Sequence, residues 1–110
     1  MNVDFLKNNN EFNNRKFKSN TNFKYLMINS RRNISYVYYF ENYFYLSSLG
    51  TDIFTLCYRE EQTIEDIIRF VARKYGRTMS SEYLFEKTLF QIRYLCKNEL
   101  LKTSGGLHVE

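Results

Sequence analysis

The stretch that decides the fold is ISYVYYFENYFYLS, residues 34–47, in which two runs of β-forming residues flank Glu41 and Asn42. Such runs separated by two turn-forming residues are typical of a β-hairpin. With these two residues in the turn, Phe40 pairs with Tyr43 and Val37 with Leu46, and side chains alternate between the two faces. We therefore predict a core face of Val37, Tyr39, Phe44 and Leu46 and a half-exposed tyrosine face of Tyr36, Tyr38, Phe40, Tyr43 and Tyr45.

The residues before the hairpin add one strand and a tail. FKYLMI, residues 23–28, is a β-capable run that ends at the polar turn SRRN, residues 30–33. Residues 1–21 are rich in Asn and Lys, and we predict a flexible tail there, although a segment that becomes ordered on binding is left open. The start MNVDFLKNNN lacks the apolar core of a signal peptide, and no apolar run approaches the ~18 residues of a membrane span. We expect a cytoplasmic protein without a membrane partner.

The residues after the hairpin predict three helices. Ser47 or Ser48 caps the first, and Thr63 with Asp66 resembles the capping box that begins the second, which stops near Gly76. The third runs from about Ser81 to Asn98. The predicted fold class is α+β, a three-stranded antiparallel sheet followed by three helices, of winged helix-turn-helix type. We assign residues 22–103 to one domain and 104–110 to a flexible end or short wing.

The third helix has apolar side chains on two sides. At about 100° per residue, Phe85, Leu89, Leu95 and Cys96 lie within about 60° of Ile92 and form the predicted core face. Tyr83, Phe90 and Tyr94 lie within about 20° of the opposite direction and form an aromatic stripe. An exposed apolar strip with charged neighbours usually marks an interaction site. An outer strand of the meander offers backbone N–H and C=O groups beside it, so an extended peptide could add to the sheet. Packing of the stripe on the tail or on a second subunit is left open.

Composition sets limits on the function. The 110 residues suit one domain, and the net charge of +4 permits either a nucleic acid or an acidic peptide as partner. Cys57 and Cys96 lie in helical apolar patterns, and we interpret both as buried small hydrophobic residues. His108 is the only histidine, and the chain has no phosphate-binding loop, nucleophile elbow or metal-ligand spacing. We predict no catalytic residue, no metal site and no cofactor.

Two stretches carry a resemblance to a known family. They are YFYLSSLGTDIFTLCYREEQTIEDIIRFVARKYG, residues 43–76, and LFEKTLFQIRYLCKNELL, residues 84–101. The pattern consists of a strand ending at Leu46, the Leu56-Cys57 pair, the helix start Thr63-Ile64-Glu65-Asp66-Ile67 and the final Leu100-Leu101. Over residues 23–102 the chain resembles the PqqD-like family, the precursor peptide recognition element of ribosomally synthesised and post-translationally modified peptides (RiPPs).

The resemblance implies a role and a site. Such domains are non-catalytic peptide chaperones that bind the leader segment of a precursor peptide by β-strand addition. They present it to a RiPP-modifying enzyme, for example a radical SAM maturase or a leader peptidase. The expected peptide-binding residues are the backbone of Tyr43, Phe44, Tyr45 and Leu46, with the side chains of Tyr83, Lys87, Phe90, Gln91 and Tyr94.

Two other interpretations stay open. A winged-helix DNA-binding regulator fits the order of elements, and Lys87, Arg93 and Lys97 lie on the third helix. A recognition helix normally presents polar and basic residues to the groove rather than stacked aromatics, so nucleic acid is not the expected partner. An interaction subunit that forms a homodimer through the aromatic stripe is the other interpretation.

Overall fold

Two small antiparallel sheets and three helices make up the described part of the chain, which is residues 15–23 and 25–104 of a computed structural model, without the side chains of Tyr25 and Ser104. In chain order the elements are β1 (Lys16–Ser19), β2 (Tyr25–Asn29), β3 (Ile34–Tyr39), β4 (Asn42–Leu46), α1 (Ser48–Arg59), β5 (Gln62–Thr63), α2 (Ile64–Tyr75), α3 (Ser81–Lys97) and β6 (Leu101–Ser104). The sheets have the strand orders β2-β3-β4 and β5-β1-β6. The predicted α+β class, with a three-stranded antiparallel sheet followed by helices, is confirmed, while its winged-helix type stays a prediction.

The register of the β3–β4 hairpin differs from the prediction. Val37 pairs with Phe44 and Ser35 with Leu46, so the turn is formed by Phe40 and Glu41 rather than by Glu41 and Asn42. Phe40 and Glu41 have φ angles of 52° and 62°, as both central residues of a type I′ turn require. The observed register leaves Ser47 outside the strand, where its hydroxyl accepts a hydrogen bond from the Gly50 N–H at 3.3 Å and caps α1.

The predicted faces survive this change for the strand residues, because the register shifts by two residues and so preserves the side-chain alternation. Phe40, predicted on the tyrosine face, instead belongs to the turn, and its ring centroid lies 4.9 Å from that of Tyr39. On the core face, Val37 and Leu46 are fully buried, and Tyr39 and Phe44 pack partly against the core. The tyrosine face lies on the other side of the sheet. Its rings pair across the strands, with the Tyr36 and Tyr45 centroids 5.4 Å apart.

Side chains at the helix starts fix where the helices begin. Thr63 and Asp66 form the predicted capping box: the Thr63 hydroxyl accepts from the Asp66 N–H at 3.1 Å, and the Asp66 carboxylate accepts from the Thr63 N–H at 3.0 Å. Ser80 caps α3 by accepting from the Tyr83 N–H at 3.2 Å. These bonds satisfy backbone donors that the helix itself leaves without partners.

The second sheet corrects the prediction for the N-terminal residues. The tail predicted through residue 21 is wrong for Lys16–Ser19, which form β1 between β5 and β6, and Phe17 is fully buried. The Asn20 side-chain amide donates to the Glu99 carbonyl at 2.9 Å, which anchors the following turn. No pattern in the sequence indicates this strand, because four residues with one apolar side chain show no clear alternation. Burial of the Phe17 side chain contributes about 1.5–3 kcal/mol, which stabilises the strand against the core. Residues 1–14 and 105–110 lie outside the described residues, and so does most of the predicted terminal wing.

The core lies between the hairpin sheet, the helices and β1. Ser35 and Thr51 share a buried hydrogen bond at 2.8 Å that joins β3 to α1. The buried apolar side chains are Phe17, Val37, Leu46, Ile53, Phe54, Cys57, Ile64, Ile67, Ile68, Val71, Leu84, Phe85, Leu89, Ile92, Leu95, Leu100 and Leu101. The predicted core face of α3 therefore faces inward, except that Cys96, predicted as buried, is half-buried.

Candidate functional site

β4 is an outer strand of its sheet. It pairs with β3, and no strand of the described residues lies on its other side. The outer side of such a strand presents main-chain donors and acceptors to solvent, which makes it a template for another extended segment. β2 is the other outer strand of this sheet. The edge that can bind a peptide with help from side chains is the one that lies closer to α3.

Gly50 brings the end of β4 and the middle of α3 together. A Cβ atom built on Gly50 would lie 2.8 Å from Gln91 Oε1 and 3.6 Å from Leu46 Cβ. The Gln91 amide thus packs on the first turn of α1. Two of the predicted site residues, Leu46 and Gln91, therefore both lie next to Gly50.

The other predicted residues of α3 are continuous with Gln91. Residues three and four apart are neighbours on a helix surface, so Tyr83, Lys87, Gln91 and Tyr94 form one row, with Phe90 beside it. The side chains of Tyr83 and Phe90 are 50% and 54% exposed. Tyr94 is half-buried and packs against the core, so it points outward less than the other two.

The burial of Tyr94 has a local cause. It lies in the last turn of α3, where the chain reverses at Glu99 with a φ of 63° and returns as β6. On the hairpin side, the Tyr39 hydroxyl donates to the Glu99 carboxylate at 3.3 Å. The Asn98 side-chain amide also donates to the Tyr94 carbonyl at 2.9 Å, so the C-terminal end of the aromatic stripe is less exposed than its N-terminal part.

Lys87 gives this surface a positive charge. Its Nζ lies 5.4 Å from the Tyr83 ring centroid, within the range of a cation–π interaction. Lys87 is exposed, as is Lys97 further along α3. The exposed Glu86 lies on the other side of the two rings, so the stripe has a charge of each sign beside it, and an acidic side chain of a ligand would pair with Lys87.

The β4 side chains do not join the α3 row. Tyr43 and Tyr45 point to the tyrosine face, where the Tyr43 and Tyr38 ring centroids are 4.6 Å apart. Phe44 and Leu46 point to the core. Strand addition at β4 would thus use its main chain, as predicted, and the side-chain contacts would come from α3.

A buried carboxylate, which the sequence analysis missed, joins the hairpin to the helices. Asp52 accepts hydrogen bonds from Asn33 Nδ2 and from Lys74 Nζ, both at 2.9 Å, and from the Tyr75 hydroxyl. Burial, followed by the bond to Asp52, raises the pKa of Tyr75. The partners come from the β2–β3 turn and from α2, so no local pattern in the sequence could have indicated the cluster. With both carboxylate oxygens bonded, its role is structural.

Cys57 is not suited to nucleophilic chemistry. Both cysteines are free, with Cys57 fully buried and Cys96 half-buried. Burial is the main cause that raises the pKa of Cys57 to about 12, so its thiol stays protonated at neutral pH. Within residues 15–23 and 25–104, no three His, Cys, Asp or Glu side chains lie close enough to share a metal ion. In the same ranges, no helix combines the length and the apolar character that crossing a membrane would demand.

Comparisons of the chain with protein-family models, with curated proteins and with solved structures give no match.

Proposed function

We propose that this protein is a non-catalytic peptide chaperone of the PqqD-like type. In this proposal it binds the leader segment of a ribosomally synthesised precursor peptide as an additional strand on β4. The observation that supports this best is the packing of both Gln91 of α3 and Leu46 of β4 against Gly50, where β4 is an outer strand of its sheet. A sheet edge beside an apolar helix face is the arrangement that peptide recognition by strand addition requires.

The main chain of β4 and the side chains of α3 contribute different interactions to the proposed binding. The β4 main chain supplies about four or five hydrogen bonds at a net ~1 kcal/mol each. Tyr83 and Phe90 bury one or two apolar side chains of the peptide at about 1.5–3 kcal/mol each. At the upper end these contributions total about 11 kcal/mol, and about 4 kcal/mol for association leaves about 7 kcal/mol, a dissociation constant on the order of 10 µM. Lys87 favours an acidic residue in the peptide next to the apolar anchors.

The partners follow from this role. The bound leader would be presented to a RiPP-modifying enzyme, such as a radical SAM maturase or a leader peptidase. The protein itself would carry no catalytic residue and no cofactor. We place its action in the cytoplasm, where precursor peptides are made and where the free thiols of Cys57 and Cys96 stay reduced.

A titration tests this function. Candidate leader peptides, taken from short open reading frames in the neighbourhood of this gene, are labelled, and their fluorescence anisotropy is followed as the full chain is added. We expect binding that changes little between ~50 and ~200 mM salt, because apolar contacts and main-chain hydrogen bonds involve no counterion release. Phe90→Glu should weaken it about 100-fold, because a charge then replaces a central apolar anchor.

Met27→Glu is the matched control. Met27 lies on β2 at the far edge of the same sheet, and its side chain is 54% exposed, as is that of Phe90. It should leave peptide affinity within about twofold, since surface substitutions away from a site have small effects. The absence of peptide binding at tens of micromolar, together with salt-sensitive binding to duplex DNA, would reject this function in favour of a winged-helix DNA-binding regulator.

A further inference from the structure

The tyrosine face is a second exposed surface, and the peptide-binding role does not use it. It continues onto β2, where Met27 lies opposite Tyr36, so Met27, Tyr36 and Tyr45 form one row across three strands. Their side chains are 54%, 40% and 50% exposed. Tyr43, on the same face, is more exposed still, at 61%.

This surface is as large as the largest apolar patch that a monomer usually leaves open. An aromatic side chain has about 150–250 Å² of surface, so the side chains of Met27, Tyr36, Tyr43 and Tyr45 expose roughly 400 Å² of largely apolar area. The largest apolar patch of a typical monomer is about 300–600 Å² and is often functional. A standard interface buries about 800 Å² per partner, so the patch supplies about half of what one side of such an interface needs.

The charge distribution selects the kind of partner. By register, the residues of β2, β3 and β4 that share this face are uncharged: Met27, Asn29, Ile34, Tyr36, Tyr38, Tyr43 and Tyr45. A nucleic acid would need cations among the rings to neutralise its phosphates. A flat uncharged sheet face suits another sheet face, which packs about 10 Å away with interdigitating side chains.

The charges at the ends of the sheet point to a second copy of this chain. The exposed Arg31 and Arg32 lie in the β2–β3 turn, and the exposed Glu41 lies in the β3–β4 turn at the other end of β3. The six residues of β3 separate these ends by about 20 Å. This distance exceeds the screening length at physiological salt, so each end of the sheet acts as a separate charged site. A two-fold axis across the strands would place the arginine end of each copy over the Glu41 end of the other. An axis along the strands would place arginines on arginines.

We infer that the tyrosine face, extended by Met27, docks on the same face of a second copy in a two-fold dimer with the strand ends reversed. Each copy contributes the row Met27, Tyr36 and Tyr45 to the centre, and Arg31 and Arg32 of one copy meet Glu41 of the other at each end. The outer edge of β4 and the exposed face of α3 lie outside this contact. One dimer therefore carries two peptide-binding surfaces, and dimerisation does not depend on the proposed function.

Sedimentation velocity of the full chain over about 5–500 µM tests this inference, because the limited area predicts a weak dimer. We expect the sedimentation coefficient to rise towards that of a dimer as concentration increases. Met27→Glu should raise the dimer dissociation constant about tenfold or more, because a two-fold interface contains the introduced charge twice. Phe90→Glu, at equal exposure, should leave it within about twofold.

Charge reversal provides a second test on residues outside the strands. Glu41→Arg should weaken the dimer, and its combination with Arg31→Glu and Arg32→Glu should restore it. A chain that stays monomeric at about 500 µM would overturn the inference. So would a monomer that binds a single-stranded oligonucleotide, because the aromatic rings would then stack on bases. A dimer that Met27→Glu leaves intact, or one that the triple reversal fails to restore, would equally overturn it. Loss of peptide binding with an intact dimer would count against the proposed function alone.

Discussion

Aromatic side chains cover two surfaces of this molecule, the tyrosine face of the hairpin sheet and the stripe on α3, and the two surfaces differ in their surroundings. The tyrosine face is broad and uncharged, and its rings pair across strands at 4.6 and 5.4 Å. The stripe is narrow and carries Lys87 above the Tyr83 ring, and in the proposed site it acts together with the outer edge of β4. A flat face can match another flat face, whereas a strip next to main-chain donors and acceptors can hold an extended segment. Similar residues thus favour different partners because of what lies next to them.

The largest effect that we predict comes from the strand that both surfaces share. Leu46→Ala should lower the free energy of unfolding by about 3 kcal/mol, because a fully buried Leu leaves a cavity. Tyr45→Ala, the adjacent residue on the tyrosine face, should cost less than about 1 kcal/mol. Urea denaturation of both variants measures the difference. Equal costs would contradict the assignment of the two faces of β4.

The Asp52 cluster should have the next largest effect, because it fixes the hairpin to α1 and α2. Asp52→Ala leaves Asn33 and Tyr75 without their acceptor, and we expect a loss of about 2 kcal/mol in unfolding free energy. Lys74 is half exposed and water solvates it, which limits the cost. Glu65→Ala changes the net charge equally at an exposed position and should have little effect. Similar denaturation midpoints for the two variants would contradict the structural role of Asp52.

A substitution at Gly50 should have a smaller effect, and it should change the peptide affinity without lowering the free energy of unfolding. Gly50→Ala places a methyl group where Gln91 Oε1 now lies, and the end of that flexible side chain must move. We expect peptide affinity to fall about fivefold, because a contact at the junction of β4 and α3 is displaced. The free energy of unfolding should hold or rise, since Ala favours a helix over Gly by up to ~1 kcal/mol. Anisotropy titration and thermal unfolding of the same variant test both parts. Unchanged peptide affinity would show that the junction is not part of the site.

The smallest effect concerns a region remote from both surfaces. Hydrogen bonds from the Thr63 backbone and side chain, together with the charge of Arg69, lower the pKa of Asp66 below its ordinary value of 3.8. A carboxyl group whose pKa is depressed on folding stabilises the folded state above its unfolded pKa and loses this contribution as pH falls through the folded pKa. The stability difference between wild type and Asp66→Asn should therefore be constant near neutral pH and shrink below about pH 4. Peptide binding should be the same in both proteins at pH 7.

Local patterns predicted most of the secondary structure and the side-chain faces. The caps at Ser47 and Thr63 and the division of the hairpin into a core face and a tyrosine face are confirmed. The hairpin register could not be predicted, because two registers preserve the same faces, and the choice depends on the positive φ angles of Phe40 and Glu41.

Contacts between distant parts of the chain account for the rest. β1 is a strand because Phe17 enters a core built from residues far along the sequence, and the Asp52 cluster joins three separate segments. The closeness of Leu46 and Gln91 has the same non-local origin. The resemblance implied that these residues belong to one site, and periodicity alone could not have placed them together.

Backbone methylation of the peptide is the most direct test of strand addition at β4. Two versions of the leader peptide carry N-methyl groups at alternate residues of the bound segment, one at even and one at odd positions. Since alternate N–H groups of an added strand face its partner, one version should lose about 100-fold in affinity while the other stays within about threefold. Tight binding by both versions would contradict the account, because the peptide would then be held without hydrogen bonds to the edge of β4.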